Sequence, residues 1–222
     1  MIETRIREEI CRVGKSLFDR GYVHGSAGNI SFRLDDGYLI TPTDACLGTL
    51  DPGRVARLDL RLNLVKGDAP SKTIELHHRI YDAAVAFDPA TRCVIHTHSA
   101  HCVALSLAPP TPGAELLPAL TPYFVMKVGH VPRIPYHRPG DPRAAELVAR
   151  VIALYGRRGS PIRAAMLDRL GPNVWHETPA AAMAALEELE ETARLWVMTN
   201  PKPAPLTDAQ TTELRLTFGA RW

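Results

Sequence analysis

The sequence predicts an α/β fold, in which helices flank a mixed, mostly antiparallel sheet. Three observations lead to this class. Segments with apolar residues at helical spacing recur along the chain, short alternating segments lie between them, and tight-turn signals join most of those short segments as hairpins. Because the 222 residues contain no internal repeat, we expect a single domain spanning 1–222 with a substantial core.

The first third of the chain is predicted to contain one helix and several strands. Apolar residues at spacings of three and four within 2–20 indicate an amphipathic helix that ends at Gly21. Alternating segments and turn signals such as Asp35-Asp36-Gly37 and Lys66-Gly67-Asp68 indicate hairpins. The predicted strands are 30–34, 38–41 and 57–65.

The middle third is predicted to place a strand between two helices. Ser71 is a good N-cap for a helix that reaches about Phe87. The segment 108–122 contains five prolines and is predicted to be a loop. The remaining predicted elements are a strand at 93–98, a short helix at 101–107, and strands within 123–135 that Gly129 interrupts.

The last third is predicted to be mainly helical. A Pro-Gly-Asp-Pro turn at 139–142 begins a helix that reaches about Tyr155, and Thr178 caps a second one over 180–198. A strand is predicted at 163–167, continued by 171–175. A proline-rich linker at 201–205 then leads to a final helix at 207–218.

Composition argues against several functional classes. The net charge is +2 without a basic run, so neither nucleic acid nor an anionic membrane is an expected partner. The polar N-terminus has no signal peptide, and no apolar run is long enough to cross a membrane. The four scattered cysteines form no Cys-x-x-Cys pair, which indicates reduced thiols in a cytoplasmic protein.

A His-x-His pair, His96 and His98, directly follows the apolar residues 93–95. If that segment is the end of a strand, alternate side chains share a face, and both imidazoles point the same way. Two imidazoles on one face suit a divalent metal such as zinc. A chance pairing among nine histidines is the alternative.

Three short segments have features that suit an anionic group. Gly28 and Asn29 offer backbone N–H groups in an open turn, and Thr43 adds a hydroxyl. Ser71 and Lys72 lie at a predicted helix N-terminus, where free N–H groups and a lysine charge favour phosphate. Each segment alone is also compatible with an ordinary turn or cap, so the argument depends on their combination.

The order of these motifs resembles that of the class II aldolase/adducin family over nearly the whole chain. The blocks are Gly28-Asn29-Ile30-Ser31, Leu39-Ile40-Thr41-Pro42-Thr43, Pro70-Ser71-Lys72, Val94-Ile95-His96-Thr97-His98 and Pro139-Gly140-Asp141. Further segments are similar to one branch of the family, the 3-oxo-tetronate 4-phosphate decarboxylases. They include Pro42 through Gly48, Leu120 through Met126, Arg138 through Pro142 and Leu186 through Ala193.

The resemblance implies a three-layer α/β/α fold with a nine-stranded type of central sheet. It also implies a fourfold homotetramer with the metal site near the subunit interface, and a C-terminal segment, 200–222, that reaches towards a neighbouring subunit. By the same resemblance, His96 and His98 bind the metal, most readily Zn²⁺ with Mn²⁺ as the alternative. The substrate phosphate is expected on the three segments named above: Gly28, Asn29, Thr43, Ser71 and Lys72.

Two positions depart from the family pattern. Thr73 stands where the family has its acid/base glutamate, and Leu170 stands where it has a third metal-binding histidine. One possibility is that another side chain supplies the third ligand. His77 lies one turn after Thr73 on the same predicted helix face, although a structural hydrogen bond beside the site is the favoured role for this residue. Three further residues are near site segments in sequence: Glu75, His101 and His137. Two histidines completed by water and a chelating substrate is another possibility.

Loss of the base is compatible with decarboxylation. An aldolase must remove a proton from carbon, whereas a 3-oxo acid that loses CO₂ leaves the enediolate directly. The expected function is therefore metal-dependent decarboxylation of a phosphorylated 3-oxo sugar acid. Lys72 would add charge beside the substrate, Thr73 would occupy the position of the base, and Tyr123 or a water would donate the final proton. The alternatives are an aldolase acting on a ketose 1-phosphate and a non-catalytic, adducin-like interaction domain.

Overall fold

The structure, a computed structural model, describes residues 3–109 and 114–222, in which eight strands form one sheet in the order β4-β3-β2-β1-β5-β8-β7-β6. The strands are β1 Asn29–Leu34, β2 Gly37–Ile40, β3 Ala56–Leu58, β4 Leu64–Lys66, β5 Cys93–His96, β6 Arg133–Ile134, β7 Ala164–Leu167 and β8 Gly171–His176. The helices are α1 Glu3–Asp19, α2 Ile74–Ala84, α3 Ala100–Ser106, α4 Pro122–Lys127, α5 Pro142–Arg157, α6 Pro179–Met198 and α7 Asp208–Phe218.

The predicted α/β class with a mixed, mostly antiparallel sheet is confirmed. Every pairing is antiparallel except that of β6 with β7. The resemblance implied nine strands, and the described part of the chain contains eight. Strand β5, which ends at His96, lies between β1 and β8 near the middle of the sheet.

The two faces of the sheet carry different helices, which gives three layers. Because side chains alternate along a strand, Ile95 and Val94 of β5 point to opposite faces. Ile95 belongs to a core that includes Ile10 of α1 and Leu186 of α6. Val94 belongs to a second core that includes Ile80 of α2, together with residues of α5. The site lies on the α2 and α5 side.

The predicted single strand at 57–65 is wrong, because this segment is a hairpin. Strands β3 and β4 pair with each other across a turn in which Leu62 has a left-handed φ of 64°. The Asp59 carboxylate accepts hydrogen bonds from the backbone N–H groups of Arg61 and Asn63, and so closes the turn. The turn signal at Gly67 does not join two strands of the sheet, since Asp68 N–H donates back to Arg54 O.

The predicted strands within 123–135 are wrong for the first part of that segment, which forms helix α4. Thr121 accepts a hydrogen bond from Phe124 N–H, and Pro122 occupies the first turn. Both are helix-start signals that outweigh the β-propensity of the tyrosine, phenylalanine and valine that follow. Only Arg133–Ile134, β6, is a strand.

Two further boundaries differ from the prediction. Helix α2 begins at Ile74 and not directly after Ser71, which instead accepts Ile74 N–H at its backbone carbonyl. The strand predicted over 163–167 does not continue through 171–175, because a turn with Arg169 at φ 65° separates β7 from β8 as an antiparallel hairpin.

The other predicted helices are confirmed, and the C-terminal segment packs back onto the domain. Helix α7 has a capping box formed by Thr207 and Gln210. After α7, the Arg221 guanidinium lies 2.7 Å from the Asp88 carboxylate, and the Trp222 ring stacks on His130. All four cysteines are free. The predicted start at Ile2 and residues 110–113 of the proline-rich loop lie outside the described residues.

No helix in the described ranges is both long enough and apolar enough to cross a membrane.

Candidate active site

A cavity of about 360 Å³ opens where β5 ends, on the side of the sheet that α2 and α5 cover. That volume suits a small metabolite. The cavity collects residues from the phosphate-type loops, from the His-x-His segment, from the first turns of α2 and α5, and from the β7–β8 turn. The sequence-predicted site residues that line it are Gly28, Asn29, Thr43, Ser71, Lys72, Thr73, His96 and His98.

His96 is the last residue of β5 and is held in one ring orientation. It is 7% exposed and lies in register between Asn29 of β1 and Asn173 of β8. Its Nδ1 atom lies 3.0 Å from the Pro172 carbonyl oxygen. Because a carbonyl can only accept, Nδ1 carries the hydrogen and the lone pair is on Nε2, as is usual for metal-binding histidines.

The spacing of His96 and His98 fits a shared metal ion. Their ring centroids are 5.1 Å apart. Two imidazoles bound to one tetrahedral zinc through Zn–N bonds of about 2 Å place their centroids roughly 5 Å apart. The observed spacing is therefore compatible with two imidazoles that share one divalent ion.

Among the described residues, no third protein ligand is assembled beside this pair. Leu170, in the β7–β8 turn, lines the cavity together with His96 and His98. Within residues 3–109 and 114–222, no group of three or more His, Cys, Asp or Glu side chains is arranged to hold a metal ion. A metal here would take its remaining ligands from water or substrate oxygens.

His77 lies beneath the cavity and is not among the described residues that line it. The side chain is fully buried on α2, and its Nδ1 atom lies 2.8 Å from Ser31 Oγ. Its Nε2 atom is buried without a hydrogen-bond partner among the described residues. This placement favours the structural alternative over ligation.

The other proposed third ligands are in different environments. His101 Nδ1 lies 2.8 Å from the Glu190 carboxylate, and His137 Nδ1 lies 2.7 Å from the Pro135 carbonyl oxygen. Of the three residues proposed from sequence proximity, Glu75 does line the cavity, from the first turn of α2.

The phosphate-type segments meet on one wall of the cavity. Gly28 has a φ of 83°, and a Cβ atom there would lie 2.7 Å from Val23 and 3.0 Å from the His96 carbonyl oxygen. Only glycine fits this approach, which leaves backbone facing the cavity. Across the wall, Ser71 Oγ and Thr73 Oγ1 are 2.9 Å apart, next to the exposed Lys72.

Tyr123 is placed elsewhere. It lies on α4 with 62% of its surface exposed, and it is not one of the described residues that line the cavity. Sequence reasoning also missed Arg79, which lines the cavity, and His24, which is not among the lining residues but lies next to His98. Arg79 lies one turn after Glu75, at a spacing that places both on one helix face, so the α2 periodicity could have identified it. His24, whose ring centroid is 6.3 Å from that of His98, gave no signal in sequence.

Burial keeps the central imidazoles neutral. Desolvation, with a smaller contribution from His98, lowers the pKa of His96 to about 4. Desolvation, with a smaller contribution from His96, lowers the pKa of His77 to about 3. Burial and the nearby His24 also lower the pKa of His98. Neutral imidazole is the form that binds a metal.

These pKa values predict that the metal-free protein loses stability in mild acid. Unfolded histidines have a pKa near 6.5, so below that pH the unfolded chain binds protons that native His77 and His96 do not. Stability is therefore complete above pH 6.5 and falls as the pH drops towards 4, by about 2 kcal/mol per histidine at pH 5. Urea unfolding in EDTA at pH 7 and pH 5 measures the loss, and a His77→Gln variant should show a smaller one. A free energy of unfolding that is equal at both pH values would contradict this assignment.

Comparison with known proteins gives consistent matches. The family described as Class II Aldolase and Adducin N-terminal domain matches residues 8–197. A 3-oxo-tetronate 4-phosphate decarboxylase of Cupriavidus necator is 53% identical, over 99% of this chain and 99% of that protein. The crystal structure of Escherichia coli YgbL, described as a putative aldolase/epimerase/decarboxylase, superposes with a TM-score of 0.87 at 37% identity, covering 97% of this chain and 100% of that one. The L-fuculose-1-phosphate aldolase of Thermus thermophilus shares the fold, with a TM-score of 0.71 at 24% identity over 90% of this chain and 98% of that one.

Proposed function

Because this chain belongs to the class II aldolase and adducin family, we propose that it is a lyase that decarboxylates 3-oxo-tetronate 4-phosphate. The products are dihydroxyacetone phosphate and CO₂. The observation that carries the proposal is a cavity that combines a phosphate-type wall, two neutral imidazoles and a threonine at the position of the family's base. The Cupriavidus and other relatives that carry this activity in their names match nearly the whole chain.

The reaction needs positioning and charge stabilisation more than a base. The bond between C1 and C2 of the substrate breaks, CO₂ leaves, and the electron pair forms an enediolate across C2 and C3. A proton then adds to C2. An aldolase would instead require a base to remove a proton from carbon. The Thr73 hydroxyl, which is hydrogen-bonded to the Ser71 hydroxyl, is far too weak a base for that step. The same comparison disfavours the ketose 1-phosphate aldolase alternative.

We propose that His96 and His98 hold a divalent metal, Zn²⁺ or Mn²⁺, through their neutral imidazole nitrogens. When bound, such an ion supplies Lewis-acid stabilisation of negative charge on substrate oxygens. The Pro172 carbonyl orients His96 for this role by accepting the Nδ1 hydrogen. No third side chain is required if substrate oxygens fill the remaining positions.

The phosphate is proposed to bind the cavity wall that the phosphate-type segments form. The backbone at Gly28, the amide of Asn29 and the hydroxyls of Thr43 and Ser71 can donate hydrogen bonds to phosphate oxygens, and Lys72 adds a positive charge. These contacts would hold the 3-oxo acid with its C2–C3 segment next to the two imidazoles, which is where positioning lowers the barrier. The exposed location of Tyr123 favours water over the tyrosine as the final proton donor.

We also propose that the chain assembles as a homotetramer. Large apolar side chains remain exposed near the C-terminal end of the described structure: Met198 at 68%, Leu216 at 83% and Phe218 at 61%. A subunit contact would remove these large apolar side chains from water.

A second candidate function, a non-catalytic sugar-phosphate-binding domain, is favoured by one specific observation. Leu170 and Thr73 both face the cavity at the two positions where the family pattern has functional side chains. The phosphate wall would remain useful in such a protein, whereas the two imidazoles would bind no metal.

The test is CO₂ release from 3-oxo-tetronate 4-phosphate by the purified full chain. It should be measured with added Zn²⁺ or Mn²⁺, and again after EDTA treatment. We expect equimolar CO₂ and dihydroxyacetone phosphate with metal, a much lower rate after EDTA, and little turnover of the unphosphorylated acid. Absence of CO₂ under every metal condition would reject the decarboxylase and leave the binding domain.

A further inference from the structure

A buried chain of hydrogen bonds leads from the core to the cavity floor. On α2, the Tyr81 hydroxyl lies 2.7 Å from Ser31 Oγ on β1, and Ser31 Oγ lies 2.8 Å from His77 Nδ1. All three residues are fully buried. The chain has one end left open, because His77 Nε2 has no hydrogen-bond partner among the described residues.

The direction of each hydrogen bond between Tyr81, Ser31 and His77 can be assigned by asking which arrangement gives every hydroxyl hydrogen an acceptor. If His77 Nδ1 donated to Ser31, Ser31 would donate to Tyr81, and the buried tyrosine hydrogen would have no acceptor. If the donors are reversed, Tyr81 donates to Ser31 and Ser31 donates to His77 Nδ1. Both hydroxyl hydrogens then have an acceptor. His77 is neutral, so the remaining hydrogen is on Nε2. The open end of the chain is therefore a donor.

A matching acceptor lies nearby on the same face of the sheet. Asn29 is two residues before Ser31 on β1, so their side chains point the same way. Asn29 Oδ1 is buried without a partner among the described residues, and Asn29 pairs in register with His96. His96 in turn is close enough to His77 to affect its pKa. The unpaired donor on α2 and the unpaired acceptor on β1 therefore lie on the same side of the sheet, next to His96.

We propose that His77 Nε2–H binds Asn29 Oδ1 through one bridging water, which turns the Asn29 amide NH₂ towards the cavity as a donor to the substrate phosphate. Asn29 is then the residue that binds the phosphate, and His77 is the residue that positions Asn29. This inference rests on the proposed function for the identity of the anion. A gap wider than a direct hydrogen bond between two buried polar atoms is the usual place for such a water.

The arrangement distinguishes a positioning role for His77 from a metal-binding one. A glutamine can place an amide N–H where Nε2–H lies, whereas an asparagine reproduces only the Nδ1 position. Neither amide replaces an imidazole as a zinc ligand of comparable strength. The pair His77→Gln and His77→Asn therefore isolates the donor at Nε2.

The experiment measures three properties of the full chain. Inorganic phosphate affinity is followed by NMR titration of the Asn side-chain amides. Histidine ¹⁵N shifts of the wild-type protein report the His77 tautomer, and Co²⁺ titration reports metal stoichiometry. We expect an Nε2–H tautomer, about tenfold weaker phosphate binding in His77→Asn, binding close to wild type in His77→Gln, and unchanged Co²⁺ stoichiometry in His77→Gln.

Several results would overturn the proposal. They are an Nδ1–H tautomer, equal phosphate affinity in both variants, no phosphate binding by the wild type, or loss of Co²⁺ in His77→Gln. The tautomer measurement uses the wild-type protein, so it decides even if a variant fails to fold. Failure of the proposed function is separate: an absence of CO₂ release would leave the tautomer and the phosphate affinities as they are.

Discussion

A His96→Ala variant is expected to lose stoichiometric metal binding and at least two orders of magnitude of decarboxylation rate. His96 is the more constrained half of the pair, since its backbone belongs to β5 and its ring is hydrogen-bonded to the Pro172 carbonyl oxygen. Without it, His98 is the only described imidazole left with a place in the proposed metal site. Lewis-acid stabilisation is worth several kcal/mol, and each 1.36 kcal/mol is a factor of ten, so the loss should be on the order of 10²- to 10³-fold.

The measurement combines metal content of the purified protein with the CO₂ assay at saturating substrate. His78→Ala is the matched control, because His78 is on the outer part of α2 and its Nδ1 atom lies 3.1 Å from the Tyr38 hydroxyl, away from the cavity lining. It should retain metal and rate. If His96→Ala kept both, the two-imidazole site would not be the catalytic one.

The parts of the site that could be predicted from sequence depend on short-range rules. Strand alternation predicted that His96 and His98 would face one cavity, even though β5 ends at His96 and His98 lies just beyond it. A glycine with a left-handed φ and a close backbone approach explains why the Gly28 loop could be identified from residue type alone. The hairpin at Asp35-Asp36-Gly37 was also predicted from residue type, and β1 and β2 do pair across it.

The parts that could not be predicted depend on competition between signals or on long-range contacts. Helix α4 was mistaken for a strand because its aromatic and branched residues favour β structure, whereas the Thr121 cap and Pro122 decide the outcome. The His24 and His98 rings, which lie next to each other, are far apart in the sequence. No local sequence pattern predicts such a long-range contact. The open hydrogen-bond donor on His77 likewise depends on Ser31, in a distant strand.

A Leu170→His variant is expected to bind zinc about 100-fold more tightly than the wild type. Leu170 lines the cavity together with His96 and His98. It lies in a turn in which the Leu170 N–H donates a hydrogen bond to the Leu167 carbonyl oxygen. The side chain is only partly buried, so an imidazole fits there without a large desolvation cost. Structural zinc sites gain about 10–16 kcal/mol from four ligands, or about 3 kcal/mol for each, which corresponds to roughly two orders of magnitude.

Zinc affinity would be measured by competition with a chromophoric chelator at pH 7.5, with Leu170→Phe as the control of similar shape that lacks a ligand atom. The phenylalanine variant should bind zinc as tightly as the wild type does. Co²⁺ absorption should also change in the histidine variant alone, because a third nitrogen alters the ligand field.

Equal zinc affinity in the histidine and phenylalanine variants would mean that the side chain at position 170 does not point at the metal. The two-imidazole site would then need its third ligand from somewhere other than the β7–β8 turn, and Leu170 would be a wall of the substrate cavity and not the remnant of a metal ligand.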